Sequence, residues 1–163
     1  MCLHAYSDAD FAGDPDDRCS TGGYAIFLGA GAVSWSSKKQ SIVALSSTES
    51  EYVALSEAAR EVQWTRHFLE ELDIMSDEPT TIFEDNQGTI AFASSQKALR
   101  RMKHIDVKYH FVKKLIEERT IRLEYRRTTE MIVDIFTKSL SPTVHAYHVE
   151  CLGLIPPTLE EEY

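Results

Sequence analysis

The chain has 163 residues, which is enough for one domain with a full-sized hydrophobic core. Its 43% hydrophobic and 26% charged residues are typical of globular proteins, and no apolar run approaches the roughly 20 residues of a membrane-spanning helix. The net charge of −9 argues against a nucleic-acid partner, and three widely spaced cysteines argue against a disulfide framework or a zinc site.

The first third of the chain predicts an antiparallel meander. Residues 4–10 indicate a strand, residues 22–29 a second strand between glycines, and residues 32–37 an alternating third strand. Ala30-Gly31 predicts a tight hairpin connection between the second strand and the third. Three consecutive strands with short links pair antiparallel.

A long helix should follow the meander. Ser46 with Glu49, or Thr48 with Glu51, has the spacing of a capping box, so the helix begins here and is expected to end near Leu72. Residues at three- and four-residue intervals predict one core face. They are Tyr52, Leu55, Ala59, Val62, Arg66 and Leu69.

The second half of the chain alternates strands with shorter helices. The predicted elements are a strand over 80–85, a helix over 86–93, a helix over 103–118, a strand over 120–126, a helix capped at Thr128 that contains Asp134, and a last helix over 143–152. The last helix is expected to pack Val144, Tyr147 and Cys151 into the core.

This order predicts an α/β fold with a mixed five-stranded sheet, in which three antiparallel strands precede two parallel ones and helices cover both faces. A right-handed crossover should place the fourth strand beside the first. We expect residues 1–153 to form this domain and residues 154–163 to be a flexible acidic tail. Trp35 and Trp64 are predicted to be core residues.

Acidic side chains end two strands that this topology makes neighbours. Asp8 and Asp85 should therefore lie side by side. Glu51, in the first turn of the long helix, and Asp134, in an apolar segment, are candidates to join them. Converging carboxylates repel one another unless divalent cations bind between them, and hard oxygen ligands favour Mg²⁺ or Mn²⁺. From spacing alone, the alternative is that these are ordinary turn and cap acids.

Seven motifs along the chain, in matching order and spacing, resemble one known family. They are Tyr6–Asp14, Ser20–Tyr24, Ser34–Gln40, Ala44–Tyr52, Asp85–Gln87, Lys103–Phe111 and Asp134–Lys138. Over about residues 5–153 the chain resembles the ribonuclease H domain that ends the polyprotein of copia-type LTR retrotransposons (Pseudoviridae). The motifs are specific as a series rather than singly, and their order argues against a different nuclease of the same fold, such as an integrase.

The resemblance implies a ribonuclease H-like fold and hydrolysis of the RNA strand of RNA–DNA hybrids with two Mg²⁺ ions, or Mn²⁺ in their place. By the family's roles, Asp8 bridges both metals and Glu51 holds one of them near the scissile phosphate. Asp85 holds the metal that activates water, and Asp134 completes that site. Glu49 competes with Glu51, which we favour because the apolar residues after it match the family's helix.

Positive charge is concentrated in residues 97–127, which contain eleven Lys and Arg against four Asp and Glu, so this block carries +7 and the remainder −16. Charge alone predicts either a phosphate-facing surface or a solvated helix face. With the resemblance, selectivity would come from a groove that reads 2′-hydroxyls on one strand. The candidate nucleic-acid contacts are Ser36, Lys39, Asn86, Gln87, Lys103 and Lys108.

The resemblance further implies a reverse transcriptase domain as partner in a longer polyprotein. It also implies an intracellular location, in the cytoplasm, a virus-like particle or the nucleus, consistent with the lack of a signal-peptide pattern. Phe11 stands where the family usually has Trp, and Arg126-Arg127 replaces the usual Val-Pro. All four acids are retained, so we expect an enzyme; the alternative is a catalytically inert fragment that binds nucleic acid or protein.

Overall fold

A computed structural model of the chain describes residues 2–74, 77–95 and 106–154. Within these ranges the strands are β1 Leu3–Asp10, β2 Thr21–Leu28, β3 Gly31–Lys39, β4 Thr80–Glu84 and β5 Ile121–Tyr125. The α-helices of the same ranges are α1 Ser47–Glu71, α2 Gln87–Ala93, α3 Asp106–Glu117 and α4 Pro142–Cys151. The predicted acidic tail lies outside the described residues from position 155 onward, so the tail stays a prediction.

The five strands form one sheet in the order β3-β2-β1-β4-β5. Strands β1, β2 and β3 pair antiparallel, whereas β4 pairs parallel with both β1 and β5. The predicted mixed sheet, with the fourth strand beside the first, is therefore confirmed. The hairpin between β2 and β3 turns at Gly29 and Ala30 rather than at Ala30-Gly31, because Gly29 takes the left-handed conformation, with φ of +67°.

Helix α1 begins at the first of the two predicted capping boxes. Ser46 Oγ accepts a hydrogen bond from the Glu49 backbone N–H at 3.2 Å, and Glu49 Oε2 accepts one from the Leu45 N–H at 2.8 Å. The predicted core face of the helix is buried in full: Tyr52, Leu55, Ala59, Val62, Arg66 and Leu69. Most of this face joins apolar residues of β1, β2, β4, β5 and α3 in the larger of two cores.

Two short 3₁₀ helices, Thr128–Glu130 and Ile132–Phe136, cover the opposite face of the sheet. The prediction of one helix over this segment is wrong. Met131 separates the two pieces in an extended conformation, and its fully buried side chain packs in the second core with Tyr6 and Val133. The segment is rich in β-branched residues, which lower α-helix propensity, so burial of alternate side chains decides its conformation.

Both tryptophans are surface residues, contrary to prediction. Trp35 is 59% exposed and Trp64 is 61% exposed. Trp35 lies on the edge strand β3, and the Trp64 ring stacks on Phe68 one turn further along α1, with centroids 5.7 Å apart. Among the described residues, no helix is both long and apolar enough to span a membrane.

Helix α4 turns a different face inward from the one predicted. Val144 and Tyr147 are exposed, whereas His148 is buried. The reason is Leu152, which follows His148 by one turn and is buried in the second core. The prediction that α4 packs Val144 and Tyr147 is therefore wrong, and α4 contributes to the second core through its C-terminal end.

Candidate metal centre

Strand pairing brings the two predicted strand-end acids together. Strands β1 and β4 pair in parallel up to Tyr6 opposite Phe83, and Asp8 and Asp85 each follow two residues after this last pair. Glu51 lies in the second turn of α1, which packs across β1. Carboxylate oxygens of Asp8, Glu51 and Asp85 lie within 4.8 Å of one another. The fold therefore creates a compact group of three carboxylates from three different elements.

Glu51 is the most constrained acid of this group. Its side chain is 6% exposed, and among the described residues its buried Oε2 atom has no hydrogen-bond partner. Burial, followed by the negative charges of Glu84, Asp8 and Asp85, raises the pKa of Glu51 to about 10. A divalent cation supplies what this unpartnered oxygen lacks, and the hard oxygen donors suit Mg²⁺ or Mn²⁺. The residues present therefore fit such an ion.

The competing acid, Glu49, is engaged elsewhere. Its side chain binds the backbone before α1 through the Leu45 N–H. It is buried but does not belong to the group formed by Asp8, Glu51 and Asp85. The position of Glu49 therefore favours Glu51 as the metal ligand, which is also the acid that the sequence analysis prefers.

The fourth predicted acid, Asp134, is close to Asp8 but separated from it by a lysine. Lys138 Nζ lies 2.8 Å from Asp8 Oδ1 and 3.1 Å from Asp134 Oδ1. Burial, followed by the charge of Asp8, raises the pKa of Asp134 to about 6. Burial alone would lower the pKa of Lys138, but the two carboxylates outweigh it and the net shift is upward. Asp134 does not join the three-carboxylate group in the described part of the chain.

A glycine on β2 allows this arrangement. Gly23 pairs with Asp8 across β1 and β2, and a Cβ atom added there would lie 2.8 Å from Thr137 Cγ2. Without a side chain at Gly23, the end of the second 3₁₀ helix approaches the sheet closely. Thr137 Oγ1 consequently donates a hydrogen bond to Asp8 Oδ2, and Lys138 reaches Asp8 Oδ1. Both carboxylate oxygens of Asp8 are therefore bound.

Sequence reasoning missed four residues that support the acids. Thr128 Oγ1 donates to Asp85 Oδ2 at 2.6 Å, and Ser7 Oγ donates to the fully buried Glu84 at 2.9 Å. The others are Thr137 and Lys138. Ser7, Thr137 and Lys138 lie within the quoted motifs, and Lys138 also follows Asp134 by four residues, whereas Thr128 carried no usable signal.

A groove of about 420 Å³ lies between β2, β3, α1 and α3. Its polar and basic lining includes Ser36, Lys38, Lys39, Arg60 and Lys108. Lys39 Nζ lies 2.5 Å from Asp14 Oδ2 and 2.7 Å from Asp17 Oδ2, so its charge is partly neutralised. Lys108 Nζ likewise lies 2.7 Å from Glu57 Oε1. Three predicted nucleic-acid contacts thus share one groove, although two of them are ion-paired.

Two further predicted contacts, Asn86 and Gln87, lie at the start of α2. Asn86 caps this helix by accepting a hydrogen bond from the Thr89 N–H at 3.0 Å, and Gln87 is exposed next to it. They are the first and second residues after Asp85. Lys103 lies outside the described residues, so its predicted role stays a prediction.

The unusual Arg126-Arg127 pair leads into the first 3₁₀ helix. The Arg126 guanidinium lies over the Phe83 ring, 4.0 Å from its centroid, and the Arg126 N–H donates to the Glu84 carbonyl at 3.0 Å. Thr128 follows immediately and binds Asp85. The substituted loop therefore packs against the sheet and carries a residue that contacts an acid of the site.

Sequence comparison finds close relatives among transposon polyproteins. The chain is 40% identical over 160 residues to the retrovirus-related Pol polyprotein from transposon RE1 of Arabidopsis thaliana, and 39% identical over 136 residues to that from transposon TNT 1-94 of Nicotiana tabacum. These matches cover 97% and 83% of the chain but only 11% and 10% of the relatives. The chain thus spans about a tenth of the length of the curated relatives it matches. No family model matches the chain.

Comparison with solved structures identifies the fold. LC11-RNase H1, solved in complex with an RNA/DNA hybrid, superimposes with a TM-score of 0.60. The match covers 83% of this chain and 93% of that one at 15% sequence identity. At this identity the similarity concerns the fold alone, and it agrees with the strand order described above.

Proposed function

The chain has the ribonuclease H fold and is homologous to the Pol polyproteins of copia-type transposons, and from this premise we propose that it is an endonuclease acting on the RNA strand of RNA–DNA hybrids. The observation that carries the proposal is the convergence of Asp8, Glu51 and Asp85, with one buried Glu51 oxygen left unpartnered among the described residues. A nuclease of this kind needs such a group to bind divalent cations.

We assign the metal-ligand role to Asp8, Glu51, Asp85 and Asp134. Bound Mg²⁺, or Mn²⁺ in its place, would supply an activated water and stabilise the leaving oxygen. In the reaction a water oxygen bonds to phosphorus, and the bond from phosphorus to the 3′-oxygen breaks. The 3′-oxygen takes a proton, so the products carry a 3′-hydroxyl and a 5′-phosphate. Thr128 orients Asp85, and the burial of Asp8 and Glu51 fixes their carboxylates before substrate binds.

We propose that the groove between β2, β3, α1 and α3 binds the hybrid. Lys38, Lys39 and Lys108 would contact phosphates, which position a duplex without reading its sequence. Ser36 in the groove, with Asn86 and Gln87 after the acidic strand end, would contact sugars and bases. Hydroxyl and amide groups at these positions suit recognition of the 2′-hydroxyl that distinguishes RNA from DNA.

We further propose that the chain acts beside a reverse transcriptase. Support comes from its relatives, which are Pol polyproteins about ten times longer than the matched segment. The net charge of −9 and the ion-paired lysines predict weak hybrid binding by this chain alone. A neighbouring polymerase domain would add the phosphate contacts that the groove lacks. We propose that both act inside the cell, where reverse transcription produces RNA–DNA hybrids.

The test is cleavage of an end-labelled RNA–DNA hybrid in the presence of Mg²⁺, by the unmodified protein and by Asp85→Asn. We expect cuts in the RNA strand only, none in matched double-stranded DNA or double-stranded RNA, and 5′-phosphate ends on the products. Asp85→Asn should reduce the rate roughly a thousandfold, equivalent to about 4 kcal/mol of transition-state stabilisation, because it removes a charged metal ligand.

Hybrid binding is measured in parallel by fluorescence anisotropy at low salt. If the unmodified protein binds the hybrid but does not cut it in Mg²⁺ or Mn²⁺, the enzyme proposal is wrong, and the result supports an inert nucleic-acid-binding module. Equal cleavage by the unmodified protein and Asp85→Asn would mean that the activity comes from a contaminating nuclease.

A further inference from the structure

Lys138 occupies a place in the acidic site that none of the proposed ligand roles explains. Its ammonium group lies between Asp8 Oδ1 and Asp134 Oδ1, at 2.8 and 3.1 Å. These are oxygens that the proposed function needs for divalent cations. Because a single ammonium already bonds both atoms, it competes with any ion that would bridge the same two carboxylates.

The Lys138 ammonium also accounts for the separation of Asp134 from the other acids. Carboxylate oxygens of Asp8, Glu51 and Asp85 converge within 4.8 Å, and Asp134 does not join them in the described part of the chain. The Asp134 carboxylate instead faces Lys138, the residue one turn after it. One part of the site is therefore open to a cation, and the other part is filled by a side chain.

The backbone of Lys138 is fixed, but its side chain is free to move its ammonium away from the acids. Its backbone N–H donates to the Asp134 carbonyl at 2.9 Å, and its neighbour Thr137 is tied to Asp8, so the main chain is fixed. The Lys138 side chain, in contrast, is 31% exposed, and four rotatable bonds connect its ammonium to the backbone. The ammonium can therefore move into solvent without disturbing the fold around the acids.

We infer that Lys138 is a resident counter-ion of the acidic site, which holds Asp8 and Asp134 together in the metal-free protein and must be displaced before Asp134 binds a divalent cation. The inference rests on the proposed function. It predicts stepwise loading: an ion enters between Asp8, Glu51 and Asp85 without displacing Lys138, and the position between Asp8 and Asp134 fills at higher metal concentration.

The test is calorimetric titration of Mn²⁺ into the unmodified protein, Lys138→Gln, Lys138→Arg and the control Lys114→Gln. Lys114 is an exposed lysine of α3 that also pairs with an acid four residues away. In Lys138→Gln the weaker Mn²⁺ site should tighten about tenfold or more, because both the competitor and its repulsion of the metal are gone. Lys138→Arg should retain weak binding at that site, and Lys114→Gln should titrate like the unmodified protein.

Thermal unfolding separates this role from a merely structural ion pair. In EDTA, Lys138→Gln should melt at a lower temperature than the unmodified protein, because two buried carboxylates lose their cation. In saturating Mn²⁺ the deficit should disappear or reverse. An equal deficit with and without Mn²⁺, together with unchanged Mn²⁺ affinities, would show that Lys138 is only structural and would overturn the inference. No Mn²⁺ binding by any of the four proteins would overturn the proposed metal site as well.

Discussion

Replacing Asp8 with asparagine is expected to remove most of the thermal stabilisation that Mg²⁺ gives the protein, and to abolish hybrid cleavage. Asp8 is fully buried on the central strand, adjacent to Glu51 and Asp85 on one side and to the Asp134–Lys138 pair on the other. A ligand that binds only the folded state at 100 times its dissociation constant adds about 2.7 kcal/mol of stability. For a chain of this size that corresponds to a rise in Tm of roughly 5–10 °C.

The matched control is Asp10→Asn. Asp10 ends the same strand two residues later. Its carboxylate lies against Gly13 and does not belong to the acidic group. The two variants change the net charge equally, so a general electrostatic effect would affect both. We expect a Mg²⁺-induced shift below about 2 °C in Asp8→Asn and the full shift in Asp10→Asn. Equal shifts in the unmodified protein and Asp8→Asn would show that these acids do not bind the metal.

Replacing Glu51 with glutamine is expected to stabilise the metal-free protein while removing its response to metal. The pKa of Glu51 is about 10 in the folded protein against an ordinary value of 4.5. Between these values the unfolded chain has lost a proton that the folded protein keeps, so folding must take up a proton. Stability is therefore lost as the pH rises above 4.5, by up to about 1.4 kcal/mol per pH unit. Glutamine is uncharged and avoids this loss.

Urea unfolding in EDTA at pH 5.5 and pH 8 measures this effect. Glu51→Gln should exceed the unmodified protein in stability at both values, with the larger difference, on the order of a few kcal/mol, at pH 8. Glu49→Gln is the matched control, because a glutamine oxygen there can still accept the Leu45 N–H bond. In Mg²⁺ the advantage of Glu51→Gln should shrink or reverse. If Glu51→Gln is less stable than the unmodified protein at pH 8 in EDTA, the carboxylate is not destabilised by its neighbours.

Local patterns in the sequence predict the strands and the long helix well. The capping box at Ser46 and the three- and four-residue spacing from Tyr52 to Leu69 depend only on residues close in the chain, and both are found. The neighbouring positions of Asp8 and Asp85 follow from the handedness of the crossover, which is a general rule. Their roles as ligands stay predictions until metal binding is measured.

One error occurs where contacts between distant residues decide the outcome, and another where residue type outweighed the helical pattern. The cap at Thr128 predicts one helix that contains Asp134, yet burial of Met131 and Val133 against the sheet divides the segment into two 3₁₀ helices. Trp64 looks like a core residue, but the buried face of α1 lies on the other side of the helix. The division at Met131 does not follow from local periodicity, because it depends on which side chains meet the sheet. The exposure of Trp64 does follow from periodicity, because Trp64 is not on the predicted core face, and the residue type alone suggested burial.

The support for Asp8 also depends on distant residues. Gly23 reads as an ordinary strand glycine, and its importance is visible only from the close approach of Thr137 in the folded chain. Through that approach Thr137 and Lys138 reach Asp8 from 129 and 130 residues away. The sequence thus indicates the three acids that converge, Asp8, Glu51 and Asp85, but also predicts Asp134, which does not join them in the described part of the chain. The groups that bind Asp8 in the metal-free protein come from tertiary structure.

The most direct test of the proposed metal centre is the position of bound Mn²⁺ in crystals of the protein, measured by anomalous scattering. We predict a peak bonded to carboxylate oxygens of Asp8, Glu51 and Asp85, and a second, weaker peak between Asp8 and Asp134 at higher Mn²⁺ concentration. The absence of any peak at these four acids, in crystals that bind Mn²⁺ elsewhere, would contradict the assignment of the site.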